Sequence, residues 1–136
     1  MTVRYHCPAC SGLLNPGTKV IFVVEQGANR GLMLLNPKLG DYAAVLSESF
    51  PLEVGAACGF HCPICHADLT SPHDPNLVEI HVRAADGSTG RVSFSRIFGE
   101  HATFLVTQAG VRRFGEHAAR YETVNFFGAG DVEAGD

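Results

Sequence analysis

The sequence predicts a mainly β chain, a small α+β domain in which two cysteine-bearing turns join an antiparallel β-meander, with one short C-terminal helix. Three observations carry that expectation. Segments rich in β-branched residues recur without a helical period. The stretch 77–107 alternates apolar and polar residues around an Asp-Gly turn. The pattern Cys-Pro-X-Cys occurs twice, at Cys7–Cys10 and at Cys62–Cys65. With 136 residues, 46% of them hydrophobic, the chain fits one compact domain. The sequence places that domain at 1–123, followed by a flexible, acidic, glycine-rich tail over 124–136.

The elements follow in order. Residues 5–12 form a first knuckle, and "LLNPG" after it is a turn signal. "KVIFVVEQ" (19–26) reads as a strand buried on both faces, and "LMLLN" (32–36) returns beside it through the loop "GANRG". After the turn-rich "NPKLGDY", the stretch 43–56 supplies a short strand at 43–47 and a second extended piece leading into the knuckle at 60–67. "LTSPHDPN" (69–76), with two prolines, is a loop. In "LVEIHVR" (77–83) Val78, Ile80 and Val82 take one face, and Glu79, His81 and Arg83 the other. "GRVSFSRIF" (90–98) alternates again, with Val92 and Phe94 inward and Arg91, Ser93 and Ser95 outward. The outward set is a solvent face of mixed charge suited to binding. "ATFLVT" (102–107) completes the meander, and "GEHAARYET" (115–123) is the predicted helix.

Paired Cys-Pro-X-Cys turns point to one tetrahedral site of four thiolates, the arrangement of a zinc ribbon. Each proline fixes φ and offers no competing donor. The predicted ligands are Cys7, Cys10, Cys62 and Cys65. The 51 residues from 11 to 61 exceed the simple ribbon spacing of about 15–20, but the hairpin within them gives the insert its own structure. Zinc is the expected cofactor, and such a closed site is structural. Iron shares the all-sulfur geometry and stands second. A redox dithiol stands behind both, because no βαβ pattern accompanies the cysteines. His6, His61 and His66 each flank a cysteine, where they are candidates to hydrogen-bond sulfur or temper its charge. Cys58 is left over and reads as a small buried residue.

Composition narrows the partners. Formal net charge is −4 and no basic run exists, which disfavours a nucleic-acid groove. The longest apolar run, "VIFVV", is too short to cross a membrane, and no leader pattern opens the sequence. A cytoplasmic location is therefore expected. "FGEHA" occurs at 98–102 and again at 114–118. Glu100, His101, Glu116 and His117 form an acid–base or second metal cluster on one reading. On the other, Phe98 and Phe114 anchor a core and the Glu-His pairs face solvent, which the divergence of adjacent side chains favours.

The repeated "HCPxC", with "LNPKLGDY", "FHCPICHADLT", "VSFSRIFGEHATF" and "FGEHAARY", resembles a family of small uncharacterised bacterial zinc-ribbon proteins over roughly residues 5–123. The resemblance implies a metal-bound β domain held by Cys7, Cys10, Cys62 and Cys65, and supplies no activity. The leading functional reading is a non-enzymatic, zinc-stabilised module that docks a protein partner, with a homo-oligomer left open. Weak nucleic-acid binding through Arg83, Arg91 and Arg96 beside Phe94 comes second. A small enzyme using Glu100, His101 or His66 comes third, because no nucleophile motif or phosphate loop is present.

Overall fold

The computed structural model describes residues 3–46 and 52–126. Two antiparallel sheets pack face to face. The first has the strand order β1-β6-β7-β8-β9, from β1 (Arg4–His6), β6 (Leu77–Arg83), β7 (Thr89–Ser95), β8 (Thr103–Thr107) and β9 (Gly110–Phe114). The second has the order β4-β3-β2-β5, from β2 (Val20–Gln26), β3 (Asn29–Leu35), β4 (Ala44–Leu46) and β5 (Gly59–His61). The four-stranded sheet is thus inserted in sequence between the first two strands of its partner.

The alternating pattern sets which residues meet. Val20, Phe22 and Val24 of β2 pair in register with Leu35, Met33 and Gly31 of β3 and turn inward. Opposite them lie Tyr5, Val78, Ile80, Val82 and Val92 of the five-stranded sheet. Phe22, Phe60 and Phe94 meet edge to face at the centre, with centroids 5.3–5.5 Å apart. A second core lies on the far face of the five-stranded sheet, where Leu77, Phe104 and Val106 are covered by Tyr121 and Phe126.

That second core corrects several expectations. The polar row of the 77–98 hairpin is not a solvent face along its whole length: Glu79 and Ser95 are 8% exposed and Ser93 is fully buried. Alternation identified the face, but not that the chain's own C-terminal stretch returns to cover it. The predicted helix at 115–123 is a single 3₁₀ turn, Ala118–Tyr121, with no side-chain cap. Gly115 sits at its entrance with φ 97°, outside the helical region. Packing also passes the predicted boundary at 123, because Phe126 is 2% exposed; residues 127–136 of the expected tail lie outside the described residues. β2 buries one face fully and the other only partly, rather than both. The strand expected at 43–47 is Ala44–Leu46, with residue 47 and the stretch to 51 outside the described residues. β1 and β9 were not anticipated; each is short and gains its regularity from the strand beside it.

Candidate metal centre

The two knuckles are built alike, each as the tip of a small hairpin. In the first, Leu14 N–H donates to the Tyr5 carbonyl, Cys7 N–H to Gly12 and Ser11 N–H to Cys7. In the second, Leu69 donates to Phe60, Cys62 to Ala67 and His66 to Cys62. Both turns close through a residue at positive φ, Ser11 at 64° and His66 at 66°. Amides turn toward sulfur in each. Ala9 and Cys10 N–H lie 3.3 and 3.5 Å from Cys7 Sγ, and Ile64 and Cys65 N–H lie 3.3 and 3.5 Å from Cys62 Sγ. Gly12 N–H points at Cys10 Sγ, 3.3 Å away.

The first knuckle continues β1 and the second continues β5, so the cluster forms where the two sheets meet. Cys7 Sγ lies 3.8 Å from Cys65 Sγ, and Cys10 Sγ lies 3.8 Å from Cys62 Sγ. All four sulfurs fall within 4.8 Å of one another. A tetrahedron with metal–sulfur bonds of about 2.3 Å has sulfur–sulfur edges of about 3.8 Å. The donor set is therefore arranged to hold one metal ion. The long insert does not prevent closure, because its strands form the second sheet and carry the second knuckle back. Cys7 and Cys62 are fully buried, whereas Cys10 and Cys65 face outward.

Ionisation within the cluster is uneven. Burial pushes the Cys7 thiol up to about 12, against the pull of the Cys10 and Ala9 amides. Burial also opposes ionisation of Cys62, but the Cys65 and Ile64 amides and the neighbouring thiols outweigh it and bring that group down to about 7. A cation would favour the thiolate at all four positions, since each must lose its proton to bind.

The three flanking histidines do not enter the ligand set. His6 Nδ1–H donates to the Ser11 carbonyl at 3.1 Å, His61 Nε2 lies 3.4 Å from Glu25, and His66 is exposed at the turn. Backbone amides, rather than histidines, supply the hydrogen bonds to the Cys7, Cys10 and Cys62 sulfurs seen among the described residues. Cys58 is buried apart from the cluster, accepting from Gln26 Nε2 at 3.4 Å; burial raises its pKa.

The "FGEHA" copies come together at one end of the β8–β9 hairpin, although the residues divide between the two readings. His101 N–H donates to His117 Nδ1 and His117 N–H to the His101 carbonyl, each at 2.9 Å. His101 stacks on Tyr42 with centroids 4.4 Å apart, and its Nδ1 lies 3.4 Å from Glu116. Glu100 instead turns inward, accepting from Ser95, Tyr121 and Arg120. The two glutamates thus serve different surroundings, and among the described residues only the four cysteines show the spacing of a metal site. Tyr42, which sequence reasoning did not single out, joins the copies by stacking on His101 of the first and donating to the Phe114 carbonyl of the second at 3.3 Å. A cavity of about 360 Å³ between the sheets reaches this cluster through His101 and Glu100.

Of the arginines expected to form a nucleic-acid face, Arg83 and Arg91 line one groove and Arg96 does not join them. Arg96 donates to the Pro75 and Cys58 carbonyls, and Phe94 is packed among the core aromatics rather than offered to a base. Comparison with family models, with curated proteins and with solved structures gives no match for this chain. No helix among the described residues is long and apolar enough to cross a membrane.

Proposed function

We propose that the chain is a non-enzymatic, zinc-stabilised binding module whose ion clamps the two sheets together and whose four-stranded sheet docks a protein partner. The observation that carries the reading is the outer face of that sheet. Ile21, Leu34 and Val45 lie in one cross-strand row and Val23 and Leu32 in the next. Leu32 is 38% and Val45 53% exposed. Contiguous aliphatic surface of this kind, rimmed here by Glu25, Arg30 and His61, is the signature of a contact surface rather than of scattered apolar residues. The row beside His61 leads directly into the second knuckle, so an ion at the cysteines would rigidify this face. Zinc is favoured because four thiolates in a closed tetrahedron suit an ion with no redox role.

Two measurements test the reading. Elemental analysis of purified protein should return about one zinc per chain, unchanged by Cys58→Ser; iron in its place would overturn the metal assignment. Leu32→Glu with Val45→Glu should leave zinc content and melting unchanged while abolishing capture of whichever protein the wild type retains from its native lysate. Equal retention by the double variant would overturn the docking face. A wild-type dimer that becomes a monomer in the variant would identify the partner as a second copy.

A further inference from the structure

Beside the first knuckle, the uncovered end of the five-stranded sheet holds a concentration of cationic and donor groups that neither the metal nor the docking face uses. Arg4 of β1 stands directly opposite Arg83 of β6. In the neighbouring row on the same face, His6 stands opposite His81, and His81 opposite Arg91 of β7. Directly opposed residues bring their Cβ atoms within about 4.5–5.5 Å, where like charges destabilise the sheet. The rows lie two residues apart, about 7 Å along the strand. A groove of about 520 Å³ lies along the second row and Arg83, lined by His6, Ser11, His81, Arg83, Thr89 and Arg91 among others, and none of its lining residues is a carboxylate.

The nearest acids are already engaged, one of them with Arg91 of the groove itself. Glu79 is buried and shared between Arg91 at 3.4 Å and His73 at 3.6 Å. Asp86 accepts from the amide and hydroxyl of Ser88 within its own turn. Among the described residues, Arg4, Arg83 and His81 form no ion pair. A chain with a net charge of −4 has acids to spare for neutralising such a pair, yet here it sets Arg4 against Arg83. That arrangement lowers stability unless an anion completes it.

We infer that this groove binds a phosphate group carried by a small molecule, with Arg83 and His81 of its lining contacting the oxygens, Arg4 adding positive charge from its position opposite Arg83, and Ser11 and Thr89 offering hydroxyl donors. Arginine forks suit the tetrahedral anion. A polymer is the less fitting source of the same chemistry. The cationic rows cover three strands only, Arg96 is committed to two carbonyls, and Arg112 lies over the Phe114 ring of β9, at the opposite edge of the sheet.

The test uses the zinc-loaded full chain, titrated with inorganic phosphate and with pyrophosphate and followed by melting temperature and amide chemical shifts. Saturable shifts should centre on the backbone of 81–83 and 89–91, and phosphate should raise the melting temperature. In phosphate-free chloride buffer Arg83→Gln should melt higher than wild type, since it relieves repulsion, yet bind phosphate at least about tenfold more weakly. Arg113→Gln, on exposed β9, should behave as wild type. The inference is overturned by shifts that do not saturate, by lower melting of both Arg83→Gln and Arg4→Gln without phosphate, or by an equal phosphate response in all variants. It is also overturned if Asp131→Asn with Glu133→Gln lowers melting and tightens phosphate binding about tenfold, which would make the chain's own acidic segment the anion. A short single-stranded oligonucleotide that outcompetes pyrophosphate at physiological salt would replace the small-molecule class with nucleic acid.

Discussion

Glu100 is 7% exposed at its side chain and holds three donors at once: Ser95, Tyr121 and Arg120. Burial alone would raise its pKa, but the Ser95 and Tyr121 hydroxyls and the Arg120 guanidinium outweigh burial and hold it below the usual glutamate range. The same contact, with burial leading, holds Tyr121 up to about 12. A depressed carboxylate stabilises above its unfolded pKa and loses that contribution as pH falls through the folded value. A raised phenol stabilises below its unfolded pKa of about 10 and loses it as pH climbs toward 12. The pair therefore contributes fully between about pH 5 and pH 10. Tyr121→Phe should cost about 1–2 kcal/mol near neutrality and shift the acid limb of the melting profile to higher pH; thermal melts across pH 3–9 measure both. Gly115 makes a second residue-scale prediction. A Cβ there would fall within 3.0 Å of the His101 carbonyl and the Tyr42 hydroxyl, at φ 97°. Gly115→Ala should lower stability by at least about 1–3 kcal/mol. Gly12→Ala, which meets chiefly the flexible end of Ile64 at ordinary φ, should cost much less, and chemical denaturation separates the two.

At the level of elements, period and turn chemistry made the central hairpins legible. Val78, Ile80, Val82 and Val92 turn inward as alternation requires, and Asp86-Gly87 turns the chain where expected, with Gly87 at φ 90°. The four ligand positions were legible for the same local reason: two spacer residues aim two sulfurs one way whatever the rest of the fold does. What escaped were elements whose regularity comes from a neighbour. β1 is three residues long and exists as a strand through β6. The C-terminal stretch, read as a helix over 115–123, forms only one 3₁₀ turn, and what the sequence did not disclose is that its Tyr121 and the following Phe126 close the second core. The opposed arginines were illegible too, because Arg4 and Arg83 become neighbours only through that pairing. Phe126 also receives a latch, since the Arg91 guanidinium donates to its carbonyl. Phe126→Ala should destabilise by about 3 kcal/mol or more and expose Phe104 and Val106, seen as faster amide exchange in β8 with little change in β2 and β3.

For the whole molecule, the cysteine cluster ties one edge of each sheet to the other, rather than only holding the N-terminal segment down. Zinc binding in small finger peptides is worth about 10–16 kcal/mol, comparable to the stability of an entire domain. Chelation, or Cys62→Ser, should therefore lower the melting temperature sharply. The loss should be uneven: exchange protection should fall first in β1 and β5, while β6–β8, central in the larger sheet and covered on both faces over most of their length, persist longest. An unchanged melting curve in metal-free protein would remove the clamp from the account.

The insertion of the four-stranded sheet between β1 and β6 also fixes an order of events during synthesis. Tyr5 pairs with Val82, so β1, beyond its local turn with Leu13 and Leu14, has no sheet neighbour until the sixth strand has left the ribosome. At about 5–20 residues per second that wait is on the order of several seconds. For most of that wait, until residue 65 has emerged, Cys7 and Cys10 lack Cys62 and Cys65 as companions and present an incomplete pair of thiols to the surroundings. The nascent chain is therefore most vulnerable to oxidation or to capture of the wrong ion at its first knuckle, and slowing translation between residues 10 and 62 should raise the fraction of chains that emerge mismetallated.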